Sequence, residues 1–297
     1  MSVNFELYKT FYYAAKNRNY SKAAEELFVT QSSVSQNIKT LESTLGTKLF
    51  YRDSKNMELT SEGKILYEYI SNAFNFIKKG ESSIKSITNM ESGKLVIGAS
   101  DTITKYFLIP FIQEFTKLYP NIKINIINKP SPHILDLVRK GDIDIGLINF
   151  NDNYNLSLIK TYDFANSEDI IILGNKYSHL KSKKADIELL KSIPYLSLDQ
   201  NSSSYNYFKE ILLKLGYNAD PEISLQSIDI LIELVRINLG FGIVPHKSVK
   251  RHLDSGEVFA LETDFNLPSR KVVLCTNKKV PVSKAGKKFM DILNIEI

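Results

Sequence analysis

Apolar residues recur with helical spacing at Leu7, Tyr8, Phe11, Tyr12 and Ala15, which predicts a first amphipathic helix ending near Asn17. Ser21 is the expected cap of a short second helix over 22–28, whose small residues Ala23 and Ala24 let another helix come close. Thr30 is expected to cap a third. On that helix Val34, Ile38 and Leu41 fall at i, i+4 and i+7 and form a buried stripe, leaving Ser32, Gln36 and Lys39 on the opposite face with Ser35 at its flank. Two short alternating stretches, 45–52 and 57–59, surround a polar turn at 53–56 and predict a small β-hairpin, a wing. After the capping residue Thr60, the positions Leu66, Ile70, Ala73, Ile77, Gly80, Ile84 and Ile87 alternate in steps of four and three. A helix over 61–89 would be roughly 44 Å long at 1.5 Å per residue, too long to bury that seam in a head of about 60 residues. A second copy of the chain is its expected partner.

From Gly93 the pattern changes. Strands are expected at 95–99, 123–128 and 143–148, with helices over 104–119 and 134–140 between them, an alternation that indicates parallel βαβ units. A second set follows, with strands near 169–173, 195–198, 242–244 and 271–276 and helices near 205–215, 228–238 and 283–293. Two α/β lobes fit this order.

Composition narrows the class without naming a function. The 297 residues suit two domains, and 43% hydrophobic with 24% charged residues is the balance of a soluble globular protein. No apolar run approaches the roughly 20 residues that cross a bilayer, and the start of the chain lacks the basic and apolar regions of a secretory signal, so no membrane partner and a cytoplasmic location are expected. The only cysteine, Cys275, cannot form an internal disulfide, and the four histidines lack ligand spacing; neither metal nor cofactor is expected. Lys and Arg exceed Asp and Glu by three in the first 90 residues and by two in the rest, a mild excess that permits nucleic-acid binding without demonstrating it.

Local pattern decides. Ser21-Lys22-Ala23-Ala24, Leu27, Thr30-Gln31-Ser32-Ser33-Val34-Ser35-Gln36, Ile38 and Leu41-Glu42 form a helix-turn-helix pattern, followed at characteristic spacing by Leu45-Gly46, Leu49-Phe50, Arg52, Leu59-Thr60 and Gly63. This closely resembles the LysR-type transcriptional regulators, most specifically over the first 65 or so residues. The resemblance implies an N-terminal all-α winged helix-turn-helix, a long linker helix that dimerises, and a C-terminal α/β two-lobed domain like a periplasmic binding protein. The divisions expected are 1–60 for DNA binding, 61–90 for the linker, and 91–297 for effector binding, with a first lobe of about 91–161 and 267–297 and a second of about 162–266.

A recognition helix needs outward donors and acceptors that reach base edges in the major groove. In the family the residues that touch DNA match Gln31, Ser32, Ser35 and Gln36 here, with Arg52 of the wing reaching the minor groove or the backbone. Lys39 joins them from its exposed place on the wheel. Many family members carry Pro after the Gln and Arg at the position of Gln36, so this chain's base preference is expected to differ; Gln pairs most naturally with adenine. The DNA partner expected is an interrupted, A/T-rich palindrome.

The resemblance also places a ligand between the lobes. Ser100 and Thr102, and Ser202, Ser203 and Ser204, lie where strands give way to helices and offer hydroxyls beside helix dipoles that favour an anion; as plain helix caps they would do equally well. Asn149 ends a strand and is placed to line the cleft or a hinge, and Lys129-Pro130-Ser131-Pro132 reads as a rigid loop whose Lys129 and Ser131 either touch ligand or merely connect. With six arginines, none in these loops, the pocket is expected to be weakly charged and its ligand a small polar or anionic metabolite.

Other features are discounted. Asp142 and Asp144 alternate with isoleucines as a strand entering from the surface does. The stretch 240–245 lacks the third glycine of a dinucleotide fingerprint. The chain is therefore expected to be a homo-oligomeric regulator, dimer or tetramer, that works with RNA polymerase and is not an enzyme. The alternative is a solute-binding protein or a dehydratase-like enzyme on the same two-lobed fold.

Overall fold

Helix caps and apolar stripes set the N-terminal elements. A computed structural model of the chain describes residues 4–51, 57–88 and 93–295, with the backbone alone at 79 and 82–88. Helix α1 (Phe5–Asn17) starts at Asn4, whose side chain accepts from the Glu6 N–H. Helix α2 (Tyr20–Leu27) is capped by Asn19, which accepts from the Lys22 N–H at 3.0 Å, and not by Ser21; the amide oxygen one turn earlier takes the orphan donor and Ser21 lies inside the helix. Helix α3 (Gln31–Leu45) is capped by Thr30, as expected, and ends at Gly46, whose φ of 70° is the left-handed cap glycine takes most easily. Phe11, Ala23, Val34 and Leu41 are fully buried where the three helices meet, and the small side chains of Ala23 and Ala24 let α2 approach closely.

The long helix α4 (Ser61–Thr88) begins at Thr60, whose hydroxyl accepts from the Gly63 N–H and donates to the Lys48 carbonyl. A Cβ at Gly63 would collide with the Leu49 carbonyl, so glycine there lets α4 start against the wing. One face of α4 returns to the head: Phe74 stacks on Tyr12 at 4.7 Å and meets Phe5 at 5.6 Å. Along the expected seam Leu66, Ile70 and Ala73 are half-buried and Ile77 and Gly80 exposed, while the side chains of Ile84 and Ile87 lie outside the described residues. Ile65, Tyr69 and Phe76, also exposed, broaden that seam into a wider apolar face.

The chain divides into two compact units, Met1–Ile84 and Lys85–Ile297. In the second, β1 (Gly93–Ala99) leads into a helix that starts at Asp101, earlier than expected, because Ser100 caps it. That helix runs as α5 (Asp101–Ile103), a π-helical turn (Thr104–Leu108) and α6 (Ile109–Leu118). There follow β2 (Ile122–Asn128), α7 (Ser131–Lys140), β3 (Ile145–Asn149), β4 (Ile159–Ser167), β5 (Asp169–Gly174), α8 (Ile187–Lys191), β6 (Tyr195–Leu198), α9 (Ser203–Lys214), β7 (Ile223–Leu225) and α10 (Ile228–Arg236). The chain continues through β8 (Phe241–Pro245), α11 (His246–Asp254), β9 (Val258–Ala260), β10 (Arg270–Asn277) and α12 (Lys284–Ile292).

Two five-stranded sheets result, ordered β2-β1-β3-β10-β4 and β7-β6-β8-β5-β9. The pairs β1/β2, β1/β3, β6/β7 and β6/β8 are parallel, and helices cover both faces. β4 pairs with β10 along 159–167, so the first lobe extends to Ser167 rather than stopping at 161. Its alternation is hidden in the sequence because a register shift opposite Val272 and Val273 breaks the period of two. The chain crosses between lobes at 167–169 and again near 268–270.

Candidate DNA-binding face and interlobe cleft

At 100° per residue Gln31, Ser32, Ser35, Gln36 and Lys39 fall within an arc of roughly 140° on α3. Ser35 is half-buried and the others are exposed. The Ser32 hydroxyl is 2.8 Å from Thr30 Oγ1, within the cap. Among the described residues the side chains of Gln31, Gln36 and Lys39 make no intramolecular bond, leaving their donors and acceptors unspent. From the opposite side of α3, Asn37 donates to Thr10 Oγ1 at 3.1 Å and fixes the helix's rotation against α1.

The wing is tied to α3 by a residue the sequence reading did not single out. Glu42 is 7% exposed; its carboxylate accepts from the Leu49 N–H at 2.9 Å and from Lys48 Nζ at 2.7 Å. Burial alone would raise its pKa, but these bonds outweigh it and hold the carboxyl below its ordinary value. Phe50 and Leu59 then form an antiparallel bridge, and the Tyr51 N–H donates to the Glu58 carbonyl. Arg52 and the turn at 53–56 lie outside the described residues.

In the second unit the parallel strands aim their following helices at one another. Across the lobe boundary the end of β3 meets the start of α9, and the π-turn after α5 meets the first turn of α10. Ser100 and Ser202 act as caps, accepting from the Ile103 and Ser204 N–H groups. Thr102 is half-buried on α5. Asn149, the last residue of β3, donates to Ser203 Oγ across the lobes at 3.4 Å. Lys129 is exposed after β2. Ser131 is withdrawn as a ligand residue: it is the first residue of α7 rather than part of a loop, and it is 2% exposed.

An arginine from outside these loops also reaches this region. Arg270, 170 residues from Ser100 in sequence, opens β10 at the lobe crossing and donates from Nη1 to Ser204 Oγ at 2.8 Å. Its Nε and Nη2 grip both oxygens of Asp169, the first residue of β5, at 2.6 Å each. Both side chains are buried, at 3% and 0% exposure, and the guanidinium also lies 5.0 Å from the Phe208 ring centre. Three of its five N–H groups are thus engaged, and among the described residues the other two have no acceptor. A single charged residue in an apolar strand carries no local signal of this role.

Farther along the cleft, Lys105 and Tyr106 of the π-turn both bond to Asp229 on α10, at 2.7 and 2.5 Å. Burial would raise the Asp229 carboxyl, but those two bonds and the Lys105 charge hold it below its ordinary value. Among the described residues no group of three or more His, Cys, Asp or Glu side chains is placed to hold a metal ion, and no helix is long and apolar enough to cross a membrane. Cys275 is fully buried, which pushes its thiol up to about 12.

Two family models match the chain: the bacterial regulatory helix-turn-helix protein, lysR family, over residues 5–64, and the LysR substrate binding domain over 88–296. A probable RuBisCO transcriptional regulator of Trieres chinensis is 26% identical over 287 residues, covering 94% of this chain and 92% of its own. The HTH-type transcriptional regulator CysL of Bacillus subtilis (strain 168) is 27% identical over 264 residues, covering 89% and 88%. Among solved structures, a full-length OxyR cysteine variant from Pseudomonas aeruginosa superposes with a TM-score of 0.71 at 19% identity, covering 99% of this chain and 95% of its own. Full-length CbnR in complex with its target DNA gives 0.65 at 16%, covering 98% and 99%. At these identities the solved structures speak for the fold alone.

Proposed function

The chain belongs to the LysR family of transcriptional regulators, and from that premise we propose that Gln31, Ser32, Ser35, Gln36 and Lys39 read base edges in one half of an interrupted, A/T-rich palindrome. Arg52 is assigned to the minor groove or backbone beside it. The observation that carries this reading is the unspent hydrogen-bonding capacity of Gln31, Gln36 and Lys39 on the outward face of α3, the opposite face being locked by Asn37 and the buried stripe. The protein is a regulator with a helix-turn-helix and an effector-binding domain; its relatives are transcriptional regulators, and catalysis forms no part of this reading. A homodimer through the apolar face of α4, assembling further to a tetramer, a cytoplasmic location and contact with RNA polymerase complete it.

The effector is a small polar or anionic metabolite held between Ser100, Thr102 and Asn149 on one lobe and Ser202, Ser203 and Ser204 on the other, with Lys129 at the rim. Helix N–H groups and the two unengaged N–H groups of Arg270 supply donors, while Asp169 neutralises the guanidinium, so the ligand meets a donor-rich but nearly neutral site. A thiol-based response is disfavoured despite the likeness to OxyR, one structure of which is H2O2-bound, because such chemistry needs an accessible thiolate and Cys275 is buried. Competition gel-shifts with upstream DNA test the reading: Gln36→Ala should relax base preference at one position by about 1–3 kcal/mol. An unchanged preference would show that the assigned face is wrong.

A further inference from the structure

The helix after β1 is interrupted where a regular one would serve to pack the sheet. The π-turn Thr104–Leu108 inserts an extra residue, a costly feature that persists where the displaced side chains are used. Here consecutive side chains of the turn reach the other lobe. Lys105 Nζ takes one oxygen of Asp229 and the Tyr106 hydroxyl takes the other. The Tyr106 ring packs against apolar clusters of both lobes, and Lys247 at the start of α11 lies 4.5 Å from the ring centre of Phe107.

The sheet order says where this contact sits. The chain crosses between lobes through β4 and β10 on one sheet and β5 on the other, and there Arg270 grips Asp169. α10, which carries Asp229, follows β7, the edge strand at the far end of the second sheet; β1, which leads into the π-turn, lies beyond β3 from β10. The Asn149–Ser203 contact falls between the two. The cleft therefore has a covalent hinge on one side and a non-covalent contact on the other.

We propose that Lys105, Tyr106 and Asp229 form a clasp that sets the open–closed equilibrium of the cleft, making them positioning residues for the effector response; this rests on the reading of the cleft as the effector site. Both charged partners are about half exposed, 52% for Lys105 and 49% for Asp229, so the ion pair is of the weak, releasable surface kind, while the phenol–carboxylate bond adds direction. A contact that holds the lobes together in the absence of ligand raises the fraction of binding-competent protein, and the apparent affinity for any ligand of the closed form rises with that fraction.

The test uses no effector. Full-length protein carrying Asn125→Cys on β2 and Ser224→Cys on β7, both exposed and on the strands farthest from the hinge, is spin-labelled, Cys275 being buried. After dilution with unlabelled chain, interlobe distances are measured by double electron–electron resonance. Wild type should give one short, narrow distribution. Asp229→Asn and Tyr106→Phe should each raise the population at longer distance at least threefold, and the double variant no more than the stronger single, because both remove one contact. Lys105→Met should give a smaller shift, and high salt should move the wild type but not Lys105→Met. Distributions of Asp229→Asn and Tyr106→Phe that superpose on wild type, with melting curves showing both folded, would overturn the clasp. If the variants open as stated while no carboxylate metabolite stabilises the wild type in a thermal-shift screen, the clasp stands and the effector assignment alone fails.

Discussion

Replacing Asp169 by Asn leaves the Arg270 guanidinium where it is and removes the charge that balances it. Two bonds of 2.6 Å hold that pair, and with side-chain exposures of 3% and 0% water cannot take the place of the carboxylate. Breaking a buried pair by removing one partner costs about 3–5 kcal/mol, and Asn, which keeps one acceptor but turns an amide donor toward a donor, belongs near the lower end. Lys85–Ile297 spans roughly 210 residues, for which about 2.1 cal/mol/K per residue gives an unfolding entropy near 0.45 kcal/mol/K. A loss of about 3 kcal/mol therefore lowers the melting temperature of that unit by roughly 7 °C. Differential scanning calorimetry of the full-length protein at neutral pH reads this directly. Asp169→Leu combined with Arg270→Met should recover most of the loss, since a packed apolar pair of similar volume carries no desolvation cost. A drop below about 2 °C in the single variant, or a double variant no more stable than the single, would refute the assignment of Arg270 and Asp169 as a buried, mutually compensating pair.

Three further outcomes are expected. Glu42→Gln should destabilise the winged head by about 1.5–3 kcal/mol in urea titrations, because two charge-assisted bonds to the wing are weakened; as its folded pKa lies below the ordinary 4.5, the wild-type contribution is full above that value and fades as pH falls through the folded pKa, a dependence the variant should lack. Ile65→Asp with Ile77→Asp places carboxylates on the exposed apolar face of α4 and should shift the protein to monomer in analytical ultracentrifugation without changing the melting of the head, whereas retention of the dimer would move the interface elsewhere. Ser100→Ala removes a cap worth about 0.5–2 kcal/mol and should abolish the effector response in a reporter assay while basal DNA binding is kept; an unchanged response would return Ser100 to the role of a plain cap.

What the sequence determined by itself is whatever depends on residues close together along the chain. The buried stripe of α3 and its outward face follow from a period of 3.6, the Thr30, Ser100 and Ser202 caps from hydroxyls one residue ahead of a helix, and the two-lobed plan from strands alternating with helices. The helix-turn-helix was legible for the same reason: its geometry is made within a few dozen consecutive residues. Where a local signal had two carriers the sequence could choose wrongly, as with Ser21 beside Asn19, and where a bulge broke the period it was silent, as at β4. Tertiary structure alone decided the contacts between segments far apart. Arg270 meets Asp169 across 101 positions and Lys105 meets Asp229 across 124. Neither partner stands out locally, because a charge at a strand start and a charge in a helix are the commonest of surface features. Only the folding of two mixed sheets against a shared crossing turns the first pair into a buried hinge tie and the second into a contact across the cleft, and the same folding buries Ser131.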